Sequence, residues 1–195
     1  MSSRQSDHTA ALARLIREKS VEIGRFTLAS GRTSDYYVDA RRTTMSAQGI
    51  ELIGELGLDA IRQAGWSPAL VGGLTLGADP VAYAIAGASR RTPPEVNAFT
   101  VRKQAKGHGT GRRIEGCFQA GAPVVVVEDV ITTGQSALGA VDAVAAAGGV
   151  ILGVLAVVDR EEGGRAAIEA RGLPVRVLIT LDQLGLPPRT ADESR

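Results

Sequence analysis

The 195-residue chain contains one cysteine, Cys117, one tryptophan and two methionines, and only 4 % of its residues are aromatic. A lone cysteine excludes an intrachain disulfide and makes a cytoplasmic setting the natural one. Neither sign of charge is in excess. Lys and Arg number 22 against 21 Asp and Glu, for a net charge of +1, so the chain as a whole has no pull toward nucleic acid or membrane. Its apolar runs stop far short of a membrane span. The N-terminus, MSSRQSDHTAALARL, lacks the long apolar core of a signal peptide. His8, His108 and Cys117 show no metal-ligand spacing. What the chain does have is 44 % hydrophobic residues and 24 glycines, enough for a buried core with many tight turns.

The most informative stretch is Val124 to Ser136, VVVVEDVITTGQS. Its β-branched run has no polar alternation and reads as a strand buried on both faces, as in a parallel sheet. It ends in two carboxylates, Glu128 and Asp129. The turn behind them holds Thr132, Thr133, Gly134 and Ser136 and leads directly into a helical pattern. Backbone N–H groups at a helix start, with Thr and Ser hydroxyls beside them, form a site for a phosphate. The acids do not suit phosphate. They suit the hydroxyls of a ribose, or a magnesium ion through water. Together these features describe a site for a phosphorylated sugar.

Around this stretch the pattern predicts a frayed tail over residues 1–7, a helix from Asp7 to about Lys19 or Ser20, and short strands at 26–28 and 36–39 about a turn at Ser30-Gly31. Adjacent tyrosines, Tyr36 and Tyr37, offer core packing or a flat wall for a planar ring. Ser46 caps a helix running to about Ala64, with Gly65 as its stop and Ile50, Ile53 and Ile61 on its apolar face. Gly54 and Gly57 within it suggest close packing of another backbone, such as a second subunit. Strands follow at 69–72, 96–101, 150–158 and 175–180, and helices at 80–89, 137–147 and 163–171. Residues 102–116, RKQAKGHGTGRRIEG, lack hydrophobic periodicity and read as a mobile cationic lid. Residues from Pro187 on read as a disordered tail. Strands alternating with helices from Ala69 to Thr180 imply an α/β fold, a mostly parallel sheet with helices on both faces and ligands at the carboxyl ends of the strands. GGLTLGADP, RKQAKGHG, EDVITTGQS and DREEGG all fall at such ends.

Val124 to Ser136 resembles the sugar-diphosphate signature of the phosphoribosyltransferases. With FTLASGRTSDYYVDAR, GGLTLGADPVA, VRKQAKGHGTGRRIEG and VVDREEG in this order, the chain from about 20 to 165 looks like an orotate phosphoribosyltransferase, the lid pattern Arg-Lys-x-x-Lys-x-His-Gly being the most discriminating part. The resemblance implies a single domain over 1–195 of the type I fold. Residues up to about 45 and the C-terminal region would contribute a small hood over the base site. It implies transfer of ribose 5-phosphate from 5-phosphoribosyl 1-diphosphate (PRPP) to orotate in pyrimidine biosynthesis. Glu128 and Asp129 would hold the ribose hydroxyls, and Val130, Ile131, Thr132, Thr133, Gly134, Gln135 and Ser136 the 5′-phosphate. Arg102, Lys103, Lys106 and His108 would close over the diphosphate, with Lys106, Asp129 and Glu128 central to catalysis. Thr132 and Arg160 would contact orotate, and Tyr36 and Tyr37 would line its pocket. Mg2+ would be held mainly through PRPP and water, and the lid would be shared across a homodimer. Ala29 and Leu76-Gly77 replace a lysine and an aromatic–lysine pair seen in some members, which bears on how the diphosphate is held. Two competing readings are a regulator that senses the sugar diphosphate, which should carry an added nucleic-acid-binding element, and a transferase for another base such as uracil.

Overall fold

The computed structural model describes residues 3–27, 33–104 and 113–187. Its frame is a six-stranded sheet in the order β5-β4-β3-β6-β7-β8. Strands β3 (Leu70–Leu74), β4 (Asn97–Val101), β6 (Pro123–Ile131), β7 (Val150–Asp159) and β8 (Val175–Thr180) are parallel. At one edge β5 (Ile114–Gly116) pairs antiparallel with β4. Helices α3 (Ala47–Gln63), α4 (Ala78–Arg91), α5 (Gln135–Ala146) and α6 (Gly164–Glu169) lie between and after the strands.

The valine run of β6 divides between two cores. Val125 and Val127 pack with α1 (Ser3–Ser20), α3 and α4, while Val124 and Val126 pack with α5 and with Ile168 of α6. A strand with apolar side chains on both faces is stable only between two helical layers. Each buried valine contributes about 1.5–3 kcal/mol, so this strand can end in a buried acid and still hold its place.

The predicted strands and helices are present with shifted ends. Ser46 caps α3 as expected, its hydroxyl accepting from Gly49 N at 3.1 Å. Ile50, expected on the buried face, is exposed. The glycines of α3 face their own chain. A Cβ at Gly54 would stand 2.5 Å from the Ala84 carbonyl oxygen, and one at Gly57 2.9 Å from Ile85 Cδ1. They therefore admit α4, and the expectation of a second subunit at this place is corrected. Helix α1 begins at Ser3, not Asp7, because its first turn is held from outside: Arg4 reaches Glu55 at 3.4 Å, and Gln63 donates to Gln5 at 3.0 Å.

Strands β1 (Val21–Thr27) and β2 (Thr33–Val38) form an antiparallel hairpin apart from the main sheet. Asp39 N donates to Ser20 O at 2.9 Å, and Tyr36 OH donates to Pro187 O at 3.2 Å, tying the hairpin to α1 and to the C-terminal segment. A short helix, α2 (Arg41–Thr44), and a 3₁₀ turn at Asp182–Leu184 were not expected. Leu181, Leu184 and Leu186 are buried among the core residues of α1 and α3. Cys117 follows β5 and is exposed. Among the described residues no helix is long and apolar enough to cross a membrane.

Candidate active site

Glu128 and Asp129 end β6 on opposite faces of the sheet. Strand alternation turns Glu128 toward α5 and Asp129 toward the turn between β3 and α4. Glu128 is 5 % exposed, and its Oε2 has no hydrogen-bond partner. Burial, followed by the neighbouring charge of Asp129, pushes its carboxyl up to about 9. Asp129 is half-buried, with Oδ1 accepting from its neighbour Val130 N at 2.8 Å.

Thr132 to Ser136, with Glu128, Val130, Ile131 and Ala137, surround a cavity of about 180 Å³ at the start of α5. Gly134 precedes the helix with φ +80°, a conformation that favours glycine. No side chain caps α5, which leaves its first-turn amides to an anion. The turn is braced from outside by the start of α6. Gly164 N donates to Thr132 O at 2.9 Å. A Cβ at Gly164 would stand 2.5 Å from Gly134 N and closer still to the Thr132 carbonyl.

A larger cavity of about 310 Å³ adjoins it. Its walls are Tyr37 to Arg41 after the hairpin, Leu74 to Gly77 after β3, the acid pair, Thr132, Ser136, Lys103 and Arg160. The β3–α4 turn is pressed onto the acid: a Cβ at Gly77 would lie 2.6 Å from Asp129 Oδ1. The Thr75–Leu76 peptide within this turn is cis.

Arg160 is 6 % exposed. Its backbone N–H donates to Ile131 O at 2.9 Å, which fixes the chain beside the β6–α5 turn. The guanidinium lies 3.0 Å from Glu162 Oε1 and 5.8 Å from the Tyr36 ring centre. The Glu162 contact is a charge contact without hydrogen-bond alignment, and Nε and Nη2 have no hydrogen-bond partner. Buried donors are almost always satisfied, so these two nitrogens suit an acceptor brought by a ligand.

The structure separates the two tyrosines. On β2 they point to opposite faces: Tyr36 is buried under Arg160, and Tyr37 lines the larger cavity, its ring 5.7 Å from that of Phe26. They therefore do not form one flat wall. Arg102 pairs with Glu115 at 3.1 Å across β4 and β5, and Lys103 lines the cavity. Lys106 and His108 lie outside the described residues. Sequence reasoning did not single out Asp39 and Arg41, which line the same cavity and pair at 2.7 Å. The Arg41 guanidinium holds the Asp39 carboxyl below its usual range. A charged pair directly after a strand, VDAR, was the available signal. Among the described residues no group of three or more His, Cys, Asp or Glu side chains could hold a metal ion.

A mostly parallel sheet carrying a phosphate-sized cavity behind two acids on a central strand, with a second cavity under a separate hairpin, is the build of the type I phosphoribosyltransferases. No family model matches the chain. It is 54 % identical over 175 residues to the orotate phosphoribosyltransferase of Mycobacterium avium (strain 104), covering 90 % of this chain and 95 % of that one. The crystal structure of orotate phosphoribosyltransferase from Mycobacterium tuberculosis H37Rv in complex with Fe(III) dicitrate matches with a TM-score of 0.83 at 51 % identity, over 92 % of this chain and 99 % of that one. The same enzyme in complex with PRPP matches with a TM-score of 0.76 at 43 % identity, over 92 % of each chain. The chain belongs to the orotate phosphoribosyltransferase family.

Proposed function

We propose that the chain transfers ribose 5-phosphate from PRPP to N1 of orotate, releasing diphosphate and forming orotidine 5′-phosphate for pyrimidine biosynthesis. The observation that carries this reading is Arg160, a buried guanidinium lining the cavity that also holds the acid pair, with Nε free of any hydrogen bond and Nη2 in charge contact with Glu162 alone. A fixed planar cation of this kind suits the carboxylate of orotate and offers a neutral base such as uracil nothing comparable.

The other roles follow from chemistry. Breaking the C1–O bond leaves positive charge on the sugar and negative charge on the diphosphate. Asp129 and Glu128 hold the ribose hydroxyls, Glu128 through a carboxyl that burial keeps protonated. The turn from Val130 to Ser136 receives the 5′-phosphate with backbone amides and the hydroxyls of Thr132, Thr133 and Ser136. Thr132 and Tyr37 bound the base. Arg102, Lys103, Lys106 and His108 close over the leaving diphosphate and exclude water, which would otherwise hydrolyse the activated sugar. The hairpin and the C-terminal segment form the hood over the base. Mg2+ would be held mainly by the sugar diphosphate and water, with the acids Asp39, Glu128 and Asp129 lining the cavity. When bound, it neutralises charge on the diphosphate. A cytoplasmic setting suits such an enzyme.

The test is to mix the chain with PRPP, Mg2+ and a panel of bases and to follow diphosphate release. Release should require orotate. Equal release with uracil would remove Arg160 as the specificity element. The homodimer with a shared lid has its own test. If Lys106 serves the neighbouring site while Asp129 serves its own, a mixed dimer of Lys106→Ala and Asp129→Asn chains has one intact site and recovers activity. A verified mixed dimer with no recovery would confine the lid to its own subunit.

A further inference from the structure

The β3–α4 turn carries an acid that the reaction above does not use. Asp79 is the second residue of α4, and both its oxygens are occupied. Oδ2 accepts from Thr75 Oγ1 at 2.7 Å and Oδ1 from Thr100 Oγ1 at 2.8 Å. Thr100 has one hydroxyl proton, and Asp79 receives it. In the 3.2 Å contact between Thr100 Oγ1 and Tyr83 OH, the tyrosine is therefore the donor. The result is a directed chain: Tyr83 donates to Thr100, and Thr100 and Thr75 both donate to Asp79.

The two ends of this chain reach different walls of the cavity. Thr75 opens the turn whose Gly77 lies against Asp129. Its amide also donates to Val101 O at 2.8 Å. Thr100 belongs to β4, which continues into Arg102 and the cavity-lining Lys103. A bare carboxylate beside a site for an anionic diphosphate would repel it. Here two hydroxyls occupy its oxygens, and the amides at the start of α4 favour its charge. Tyr83 is 57 % exposed, so the outer end of the chain faces solvent and contributes little burial of its own.

We propose that Asp79 is a positioning residue for the sugar diphosphate. It ties the Thr75–Gly77 turn to the end of β4 and thereby sets the spacing between Asp129 on one wall and Lys103 on the other. Asp79 itself does not touch substrate. The proposal rests on the functional reading above and adds to it a device that acts on one substrate alone.

The test uses the full chain and two independent readouts: calorimetric binding of PRPP with Mg2+ in the absence of base, and steady-state turnover with orotate. Asp79→Ala should weaken PRPP binding about tenfold and raise its KM in step, with the orotate KM held within about twofold. Thr75→Val and Thr100→Val should each weaken PRPP binding by less. Combining either with Asp79→Ala should add little, because all three changes break one chain. Thr100→Ser keeps the hydroxyl and should bind PRPP like the wild type. Wild-type PRPP affinity in Asp79→Ala would overturn the proposal. So would an equal loss for both substrates with a lowered melting temperature, since that describes an acid serving only the start of α4. If Asp79→Ala fails to fold, Thr100→Val decides by the same criteria, because valine keeps the shape and removes only the hydroxyl. A wild-type chain that binds PRPP but transfers nothing to orotate sinks the functional reading and leaves the Asp79 comparison standing.

Discussion

The turn from β6 into α5 and the turn from β3 into α4 lie at the ends of adjacent parallel strands and face one cavity, yet they are held by different means. The first is braced by backbone. Gly134 takes a left-handed conformation, and the start of α6 closes on it through Gly164 with no room for a Cβ. The second is braced by side chains, through the hydroxyls that converge on Asp79. Gly77 there has an ordinary helical φ of −61° and owes its place to the closeness of Asp129. A phosphate turn must keep its amides free for the ligand, so its support has to come from behind. The neighbouring turn is held instead by an acid already saturated with donors.

Four variants test this contrast. The largest effect should come from a change that touches neither turn. On the proposed role of Arg160, Arg160→Ala should raise the orotate requirement by about 2–5 kcal/mol, read as KM, with PRPP affinity unchanged. Equal weakening of both substrates would mean that the turns had moved as well. Next is Gly164→Ala. The added methyl must displace the phosphate turn, and a shift of this kind costs roughly a hundredfold in kcat/KM. The melting temperature should fall too, because overpacking costs about 1–3 kcal/mol. Full activity in this variant would show that the backbone brace is slack.

Gly77→Ala should be milder. Its φ suits alanine, and the group it meets is a carboxylate that can rotate, so PRPP affinity should drop about tenfold with stability preserved. A loss as large as that of Gly164→Ala would erase the distinction between the two turns. The smallest effect concerns Glu128. The folded chain holds its proton up to about pH 9, whereas the ordinary value is 4.5. Between these values the unfolded chain is the more deprotonated, so the contribution to stability is greatest at the acid end and declines as pH rises toward 9. Glu128→Gln removes that slope. Its melting temperature relative to the wild type should climb from pH 5 to pH 9. Parallel melting profiles would mean that this carboxyl ionises freely.

The difference between the two turns also explains what could be read in advance. The β6 turn was legible because its parts are adjacent in the sequence: four valines, two acids, then small hydroxyl residues and a glycine. The clamp on the β3 turn was not, because Thr75, Asp79, Tyr83 and Thr100 come together only when β4 lies beside β3, with Gly73 opposite Thr100. Strand β5 escaped notice since three residues carry no periodicity. The early start of α1 escaped because it depends on Glu55 and Gln63 of another helix. Gly54 signalled a close backbone, that of Ala84, and Gly57 a close side chain, that of Ile85, but local pattern cannot say which element approaches. Tyr36 and Tyr37 looked like a pair because sequence adjacency hides the alternation of a strand.

The single exposed thiol at Cys117 turns the chemistry of this protein toward the bench. It stands just past β5, at the far end of the segment that begins with Arg102 and Lys103. With no second cysteine to compete, a maleimide dye would attach at one address without prior mutagenesis. The lone tryptophan, Trp66, is an intrinsic emitter whose ring has the Arg176 guanidinium 5.8 Å from its centre. One donor and one acceptor make a native optical ruler. Adding PRPP to the labelled chain would report, as a change of colour, any change in the distance between Trp66 and Cys117.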